Sequence, residues 1–270
     1  MPDAPRESSM PKFAANLTML YQEYPLQERI ERAAAAGFGG VEILYPYGED
    51  IDAIRAALEQ CDLELVLFNV PSGNLAAGDR GMANDPRRIG EYRAAVELAL
   101  SVQRTLLATR FNSTIGRQLP DVPISDQLET AKANYAWAAG RCESQGVTLC
   151  VEPLNRIDNP GYMVPTSTQM LALIEEIGHP NLRLQYDFYH QQRMEGNLVA
   201  FLADHIGQIG HIQIADSPDR HEPGTGEINY EYVFEKIDEL GYDGWVALEY
   251  RPSTTTEASL GWLKRFGYDV

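Results

Sequence analysis

Four apolar runs in the second half of the chain each end on an oxygen-bearing side chain: Glu152 after Cys150-Val151, Asp187 after Gln185-Tyr186, Gln213 after His211-Ile212, and Glu249 after Ala247-Leu248. If these runs are neighbouring parallel strands, three carboxylates and one amide carbonyl converge on a common centre. Carboxylates crowded into a partly dry pocket raise one another's pKa unless a cation neutralises them. An all-oxygen set with room for water suits one divalent cation, Mg²⁺ or Mn²⁺, better than zinc, which prefers His and Cys. A lone glutamate at a strand end is ordinarily a solvated rim residue; four such ends in succession point to a shared site.

The other chemistry-bearing residues cluster nearby. His190, three residues beyond Asp187, belongs either to the same rim or to a self-satisfied loop. The stretch 211–230 is dense in Asp, His, Arg, Pro and Gly, a composition that is costly to order and that serves function more often than packing. Within it, Arg220 and His221 read either as grips for an anion or as surface charges. His211 reads as an orienting group or as core. His179 and His205 lie near helix ends and read as structural, and Tyr186, Phe188 and Tyr189 as pocket walls.

The elements that must position these residues alternate. Strands are predicted over 12–17, 41–44, 63–68, 109–112, 147–152, 182–187, 209–214 and 245–249, and helices over 26–36, 50–60, 87–101, 125–144, 167–177, 197–205, 230–240 and 256–266. Two segments echo one another, Ala36-Gly37-Phe38-Gly39-Gly40-Val41 and Leu240-Gly241-Tyr242-Asp243-Gly244-Trp245, each a glycine helix stop followed by an aromatic, a second glycine and a strand. Eight such units predict an α/β fold, a single closed (β/α)8 TIM barrel over 10–270, with residues 1–9 a disordered N-terminal extension. The competing fold, an open doubly wound sheet, lacks a Gly-x-Gly-x-x-Gly after its first strand. Residues 71–81, rich in Gly, Pro and Asn, form a long loop of the functional kind.

With 270 residues, 44% of them hydrophobic, the chain can bury an adequate core without staples. Its 22 basic and 39 acidic residues leave a formal charge of -17, which repels phosphate backbones and anionic membranes, so neither nucleic acid nor a membrane is an expected partner. Cys61, Cys142 and Cys150 have no zinc-type spacing, and no apolar run approaches the roughly 18 to 20 residues needed to cross a bilayer. A reducing, cytoplasmic location is expected.

Several motifs together resemble the hydroxypyruvate isomerase family: Phe13-Ala14-Ala15-Asn16-Leu17-Thr18-Met19-Leu20, the segment from Ala35 to Tyr47, Glu152-Pro153-Leu154-Asn155, Gln185-Tyr186-Asp187 through His190, and the loop 211–230. The resemblance spans about Phe13 to Tyr250. It implies a xylose isomerase-like barrel with one divalent cation held by Glu152, Asp187, Gln213 and Glu249, paired catalytic glutamates at Glu152 and Glu249, and a homo-oligomer. It also implies that His190 and Arg220 contact substrate; Asn155 and His221 are counted with them as substrate-binding residues. Related ketose 3-epimerases carry His where this chain has Gln213, which favours the hydroxypyruvate branch over the sugar branch. Asn74-Leu75 and 111–116 depart from the family's usual Asp-Trp and Leu-Asn-Cys-Leu-Ala-Gly, at the expected substrate mouth.

The activity so implied interconverts hydroxypyruvate and 2-hydroxy-3-oxopropanoate (tartronate semialdehyde), moving a carbonyl between adjacent carbons through an enediolate. Two carboxylates serve as base and acid, and a cation stabilises the developing charge. The substrate is a small anionic 2-oxo or hydroxy acid, so an acidic protein needs a local positive patch from the metal, Arg220, and His190 or Arg117. The alternatives are a 2-oxo-tetronate isomerase, a ketose 3-epimerase, and a barrel that binds metal or ligand without turnover.

Overall fold

The computed structural model describes residues 11–268; the expected N-terminal extension lies outside them. Eight parallel strands close into one barrel in sequence order: β1 (Lys12–Asn16), β2 (Gly40–Glu42), β3 (Glu64–Asn69), β4 (Arg110–Asn112), β5 (Thr148–Val151), β6 (Leu182–Asp187), β7 (Ile209–Ile214) and β8 (Trp245–Leu248). β8 returns to pair with β1, Phe13 opposite Val246 and Ala15 opposite Leu248. All eight strands fall where the alternation of apolar runs and glycine stops predicts them.

The helices follow the prediction less closely. Ten are present among the described residues: α1 (Leu26–Ala35), α2 (Ile51–Gln60), α3 (Ile89–Leu106), α4 (Ile124–Glu143), α5 (Ser167–Ile177), α6 (Phe188–Met194), α7 (Leu198–His205), α8 (Tyr230–Glu239), α9 (Thr256–Ser259) and α10 (Gly261–Arg265). α6 is unanticipated, because it starts immediately after a strand with no loop between them. Asp187 caps it, its Oδ1 accepting from the Tyr189 amide at 2.7 Å. The single expected last helix breaks in two at Leu260–Gly261. α3 runs five residues beyond its predicted end and stops at Leu107, in the left-handed region with φ 60°.

The sequence echo has a structural counterpart. Gly37 and Gly241 both take positive φ, and the following aromatics donate their amides back into the preceding helix, Phe38 to the Ala33 carbonyl and Tyr242 to that of Ile237. These are the six-to-one bonds of a glycine-terminated helix, and each turns the chain directly into a barrel strand.

Side chains alternate across each strand. Phe13, Ala15, Val41, Val246 and Leu248 join the large cluster packed under the helices, while Ala14, Val66, Leu67 and Ala247 form a second cluster with Trp245. Trp245 sits where β-carbons on Gly39 and Gly40 would lie only 3.2 and 3.1 Å from its ring, so glycines make room for it at one end of the barrel. At the other end the same alternation carries Asn16, Glu42, Asp187, Gln213 and, one residue past β8, Glu249. Apolar groups, Trp245 among them, therefore fill the lower interior, and polar groups are stacked at the C-terminal mouth.

Candidate active site

A cavity of about 220 Å³ opens at the C-terminal mouth, lined by Glu152, His190, Arg220 and Glu249 together with residues of the loops after β2 to β5. Four of the eight expected site residues thus line one cavity. Asp187 lies immediately behind it: Arg220 Nη2 is 3.3 Å from Asp187 Oδ2 and 3.2 Å from Glu249 Oε1.

Each carboxylate is held differently. Glu152 follows β5; its Oε2 accepts from Asn112 Nδ2 at 2.7 Å, and its backbone carbonyl accepts from the buried Tyr162 hydroxyl at 2.9 Å. Burial, and then the charges of Glu249 and Asp187, push its carboxyl well above the usual range. Burial likewise raises Asp187, although Arg220 opposes it. Glu249 is pushed up to about 8, by burial first, with Arg220 pulling the other way and Asp187 and Glu42 adding to the rise. Burial opposes the charge on Arg220, yet Glu249, Asp187 and Glu152 outweigh that and hold the guanidinium protonated. Arg220 has φ 59°, left-handed backbone uncommon for a residue with a side chain. The loop around it enforces that conformation.

Asp216 organises that loop. Its Oδ2 accepts from the amides of Gly224, Thr225 and Gly226, and its Oδ1 from those of Ser217 and Ile228. Gly226 has no room for a β-carbon, which would lie 2.0 Å from the Ser217 carbonyl. The composition that marks 211–230 as functional in the sequence thus divides in two. Asp216 and the glycines build the loop, and Arg220 is what the loop presents.

His190 illustrates how a tautomer is set. The Asn155 amide N–H, which can only donate, lies 3.2 Å from His190 Nδ1, and Asn155 Nδ2 lies 2.7 Å from the same atom. Nδ1 is therefore an acceptor, and the neutral ring carries its proton on Nε2. Burial and the Arg220 charge depress the His190 pKa well below its ordinary value, so the ring is neutral. Glu152, Asp187 and His190 each bring one donor atom within 4.8 Å of one another, a group able to hold a metal ion. Nε2 stands 3.7 Å from Glu152 Oε1 and 3.6 Å from Asp187 Oδ2. With its proton fixed on Nε2, the ring is better suited to donating a hydrogen bond into the cavity.

Three expected site residues stand away from the cavity wall. Asn155 is buried behind His190 and bonds to Asp158 as well, so its place is to orient the ring. His221 turns outward, its Nδ1 against the Arg251 carbonyl at 2.7 Å. Gln213 lies deeper: Nε2 donates to Glu42 Oε2 at 3.0 Å, and Oε1 accepts from Gln185 Nε2 at 2.6 Å. Glu42 fixes that orientation, since a carboxylate demands the amide nitrogen.

Glu42 itself escaped the sequence reading. It ends β2, is completely buried, and accepts from Asn16 Nδ2 at 2.7 Å as well as from Gln213, with His211 Nε2 against its other oxygen. In the sequence Glu42 lies inside the apolar stretch 41–44 rather than at its end, so it lacks the pattern that marks the other four, and only the early end of β2 reveals it. His211 is thus a partner for a buried acid beneath the site. Arg80, Tyr45, Ser72, Thr114 and Asn159, which also line the cavity, went unrecognised as well, because their placement depends on loop geometry.

The model of the family described as xylose isomerase-like TIM barrel matches residues 30–266. The hydroxypyruvate isomerase of Escherichia coli is 44% identical over 255 residues, covering 94% of this chain and 98% of that one. The 2-oxo-tetronate isomerase of Cupriavidus necator is 43% identical over 257 residues, covering 95% and 99%. A crystal structure from Brucella melitensis described as AP endonuclease, family 2, superposes with a TM-score of 0.92 at 41% identity, covering 95% of this chain and 99% of that one. With its closed barrel, its buried carboxylates at the C-terminal mouth and full-length similarity of this order, the chain belongs to the xylose isomerase-like TIM barrel family, in the group that includes both the hydroxypyruvate and the 2-oxo-tetronate isomerases, and it is an enzyme of the isomerase class.

Proposed function

We propose that the protein interconverts hydroxypyruvate and tartronate semialdehyde, using one divalent cation, Mg²⁺ or Mn²⁺, and the paired carboxylates Glu152 and Glu249. The observation that carries this reading is that both glutamates line one small cavity, buried, with raised pKa values and a third carboxylate behind them. A cavity of about 220 Å³ is below the roughly 300–1,000 Å³ of drug-sized sites and suits a metabolite of a few carbons.

The donor set fits a hard cation. Three carboxylates confront a single guanidinium, Arg220, so a divalent ion would relieve the remaining repulsion. Glu152, Asp187 and Glu249 would hold it, with the Gln213 carbonyl, which has one bond to Gln185 and a second lone pair, as a further ligand. When bound, such an ion supplies positive charge to an enediolate as it forms.

The chain's own residues do the rest. Buried carboxyls side by side favour a shared proton over two full charges, as proton transfer to and from carbon requires. One glutamate, ionised at the start, takes a proton from the hydroxyl-bearing carbon, and the other, protonated at the start, gives its own proton to the former carbonyl carbon; the substrate's hydroxyl proton moves from one of its oxygens to the other, and solvent exchange resets the two carboxyls. His190, with its proton on Nε2, donates to a substrate oxygen, and Asn155 keeps it in that tautomer. Arg220 prevents Asp187 and Glu249 from expelling the anionic substrate. Positioned proton transfer of this kind contributes about 10²- to 10⁴-fold.

A four-carbon 2-oxo-tetronate is the second reading, supported by a relative of that name with almost the same identity as the hydroxypyruvate isomerase. Gln213 disfavours a ketose 3-epimerase. The charge of -17 disfavours a polyphosphate substrate such as nucleic acid, whatever the description of the Brucella structure. The test is turnover of three- and four-carbon 2-oxo acids by protein stripped of metal and then reloaded. We expect activity with Mn²⁺ or Mg²⁺, none after verified removal, and preference for the three-carbon acid. Full activity in the stripped protein refutes the cation's role, and preference for the longer acid replaces the first substrate by the second.

A further inference from the structure

Two arginines line the cavity, and they differ in what they already hold. Arg220 lies between Asp187 and Glu249, so its charge is engaged. Arg80, on the loop after β3, makes hydrogen bonds only to neutral acceptors: Nε to Asn159 Oδ1 at 3.1 Å and Nη1 to the Asp79 carbonyl at 2.7 Å, leaving Nη2 without a partner among the described residues. Its neighbours on that wall are hydroxyls and an amide. Tyr45 Oη and Thr114 Oγ1 each lie within hydrogen-bond reach of Ser72 Oγ, at 3.0 and 2.9 Å.

The loop is braced on both sides of Arg80. Asp79 Oδ2 accepts from the Asn74 amide at 2.7 Å and pairs with Arg88 at 3.0 Å. Gly81 donates its amide to the Ser72 carbonyl at 3.0 Å, bridges to Ile115, and has φ 111°, where a β-carbon would lie 2.1 Å from the Thr114 carbonyl. The guanidinium is therefore held against the cavity by a rigid loop. The wall is also divided by strand of origin: the carboxylates and His190 follow β5, β6 and β8, while Ser72, Arg80, Thr114 and Asn159 follow β3, β4 and β5.

We propose that Arg80, supported by Asn159, is the residue that recognises the substrate's carboxylate, so that the acid end lies against the loops after β3 to β5 and the two reacting carbons lie between Glu152 and Glu249. Arg220, which the sequence suggests for this grip, is instead the counter-charge of the catalytic carboxylates. This assignment rests on the isomerase reading above for the identity of the substrate, but not for the location of the anion site. It explains how a chain of charge -17 admits an acid, since Arg80 is a cation at the cavity wall with no carboxylate paired to it among the described residues.

The test compares the wild type with Arg80→Met and Arg80→Lys on hydroxypyruvate and on dihydroxyacetone, its neutral counterpart with CH₂OH in place of the carboxylate. A lost charge-assisted hydrogen bond should lower the preference for acid over neutral substrate, as a ratio of kcat/KM values, roughly 10- to 100-fold in Arg80→Met. The change should fall in the KM for the acid, and Arg80→Lys should recover only part of it. If Arg80 merely props the loop, both substrates suffer alike and the ratio stays constant, which overturns the proposal. Should the wild type turn over neither compound, calorimetric binding of tartronate, an inert dicarboxylate, decides the matter separately. Weakening in Arg80→Met upholds the anion site while the reaction assignment fails; unchanged affinity overturns the site as well.

Discussion

Glu249 follows a four-residue apolar strand into a space already occupied by two other carboxylates, and Arg220 only partly offsets them. Its proton affinity in the folded protein therefore exceeds that of the unfolded chain. For a carboxyl raised from 4.5 to about 8, the stabilising contribution is complete below pH 4.5 and is lost as pH rises through 8. In metal-stripped protein, Glu249→Gln should remove this loss. Urea midpoints measured from pH 5 to 8.5 should fall less steeply for the variant, by up to one proton's worth of slope. Parallel curves would show that Glu249 does not titrate as its surroundings require. Glu152, Asp187 and Glu249 were legible in the sequence because strand alternation and the polarity of a parallel barrel fix where such residues point. Glu42 obeys the same rule, but its three-residue strand offers a weaker pattern than the later ones.

The loop after β7 shows how an element is specified by one side chain. Five backbone amides converge on Asp216, and the left-handed Arg220 lies between its donors. Asp216→Ala should cost on the order of 3 kcal/mol, since hydrogen bonds to a charged group contribute about 1.5–3 kcal/mol and the orphaned donors lie in a tight loop. Activity should fall more than stability alone explains, because Arg220 loses its support; denaturant unfolding alongside kcat measures both. A variant as stable and active as the wild type would show that the loop holds itself. This loop was recognisable by composition, whereas its division into builder and presented residue was not, since Asp216, Asp219 and Arg220 look equally polar in sequence. α6 was missed for a related reason: Asp187 serves at once as strand end, buried acid and helix cap, and only the three-dimensional turn reveals the third role. The break between α9 and α10 and the extension of α3 are errors of boundary, where tertiary packing overrides local propensity.

At the scale of the whole molecule, the barrel separates packing from chemistry along its axis: glycines and Trp245 close one end, and buried carboxylates, His190 and two arginines define the other. The three cysteines are free, and burial pushes the Cys142 and Cys150 thiols up to about 12, so neither is a nucleophile at neutral pH. Among the described residues no helix is long and apolar enough to cross a membrane. The barrel was readable from eight repeated units, because right-handed crossovers leave few other ways to place them. The rest of the cavity lining was not, because Arg80 and its neighbours come from three separate loops whose meeting is set by bridges such as Gly81 to Ile115.

Exchange of a carbon-bound substrate proton by Glu152 and Glu249 is the step on which the proposed reaction depends, and solvent deuterium reports on it directly. Hydroxypyruvate incubated in D₂O with metal-loaded enzyme should acquire deuterium at its hydroxyl-bearing carbon, followed by NMR. In folded, metal-loaded Glu152→Gln and Glu249→Gln the rate of incorporation should drop at least about 100-fold. Incorporation at the wild-type rate in either folded variant would contradict the two-carboxylate account.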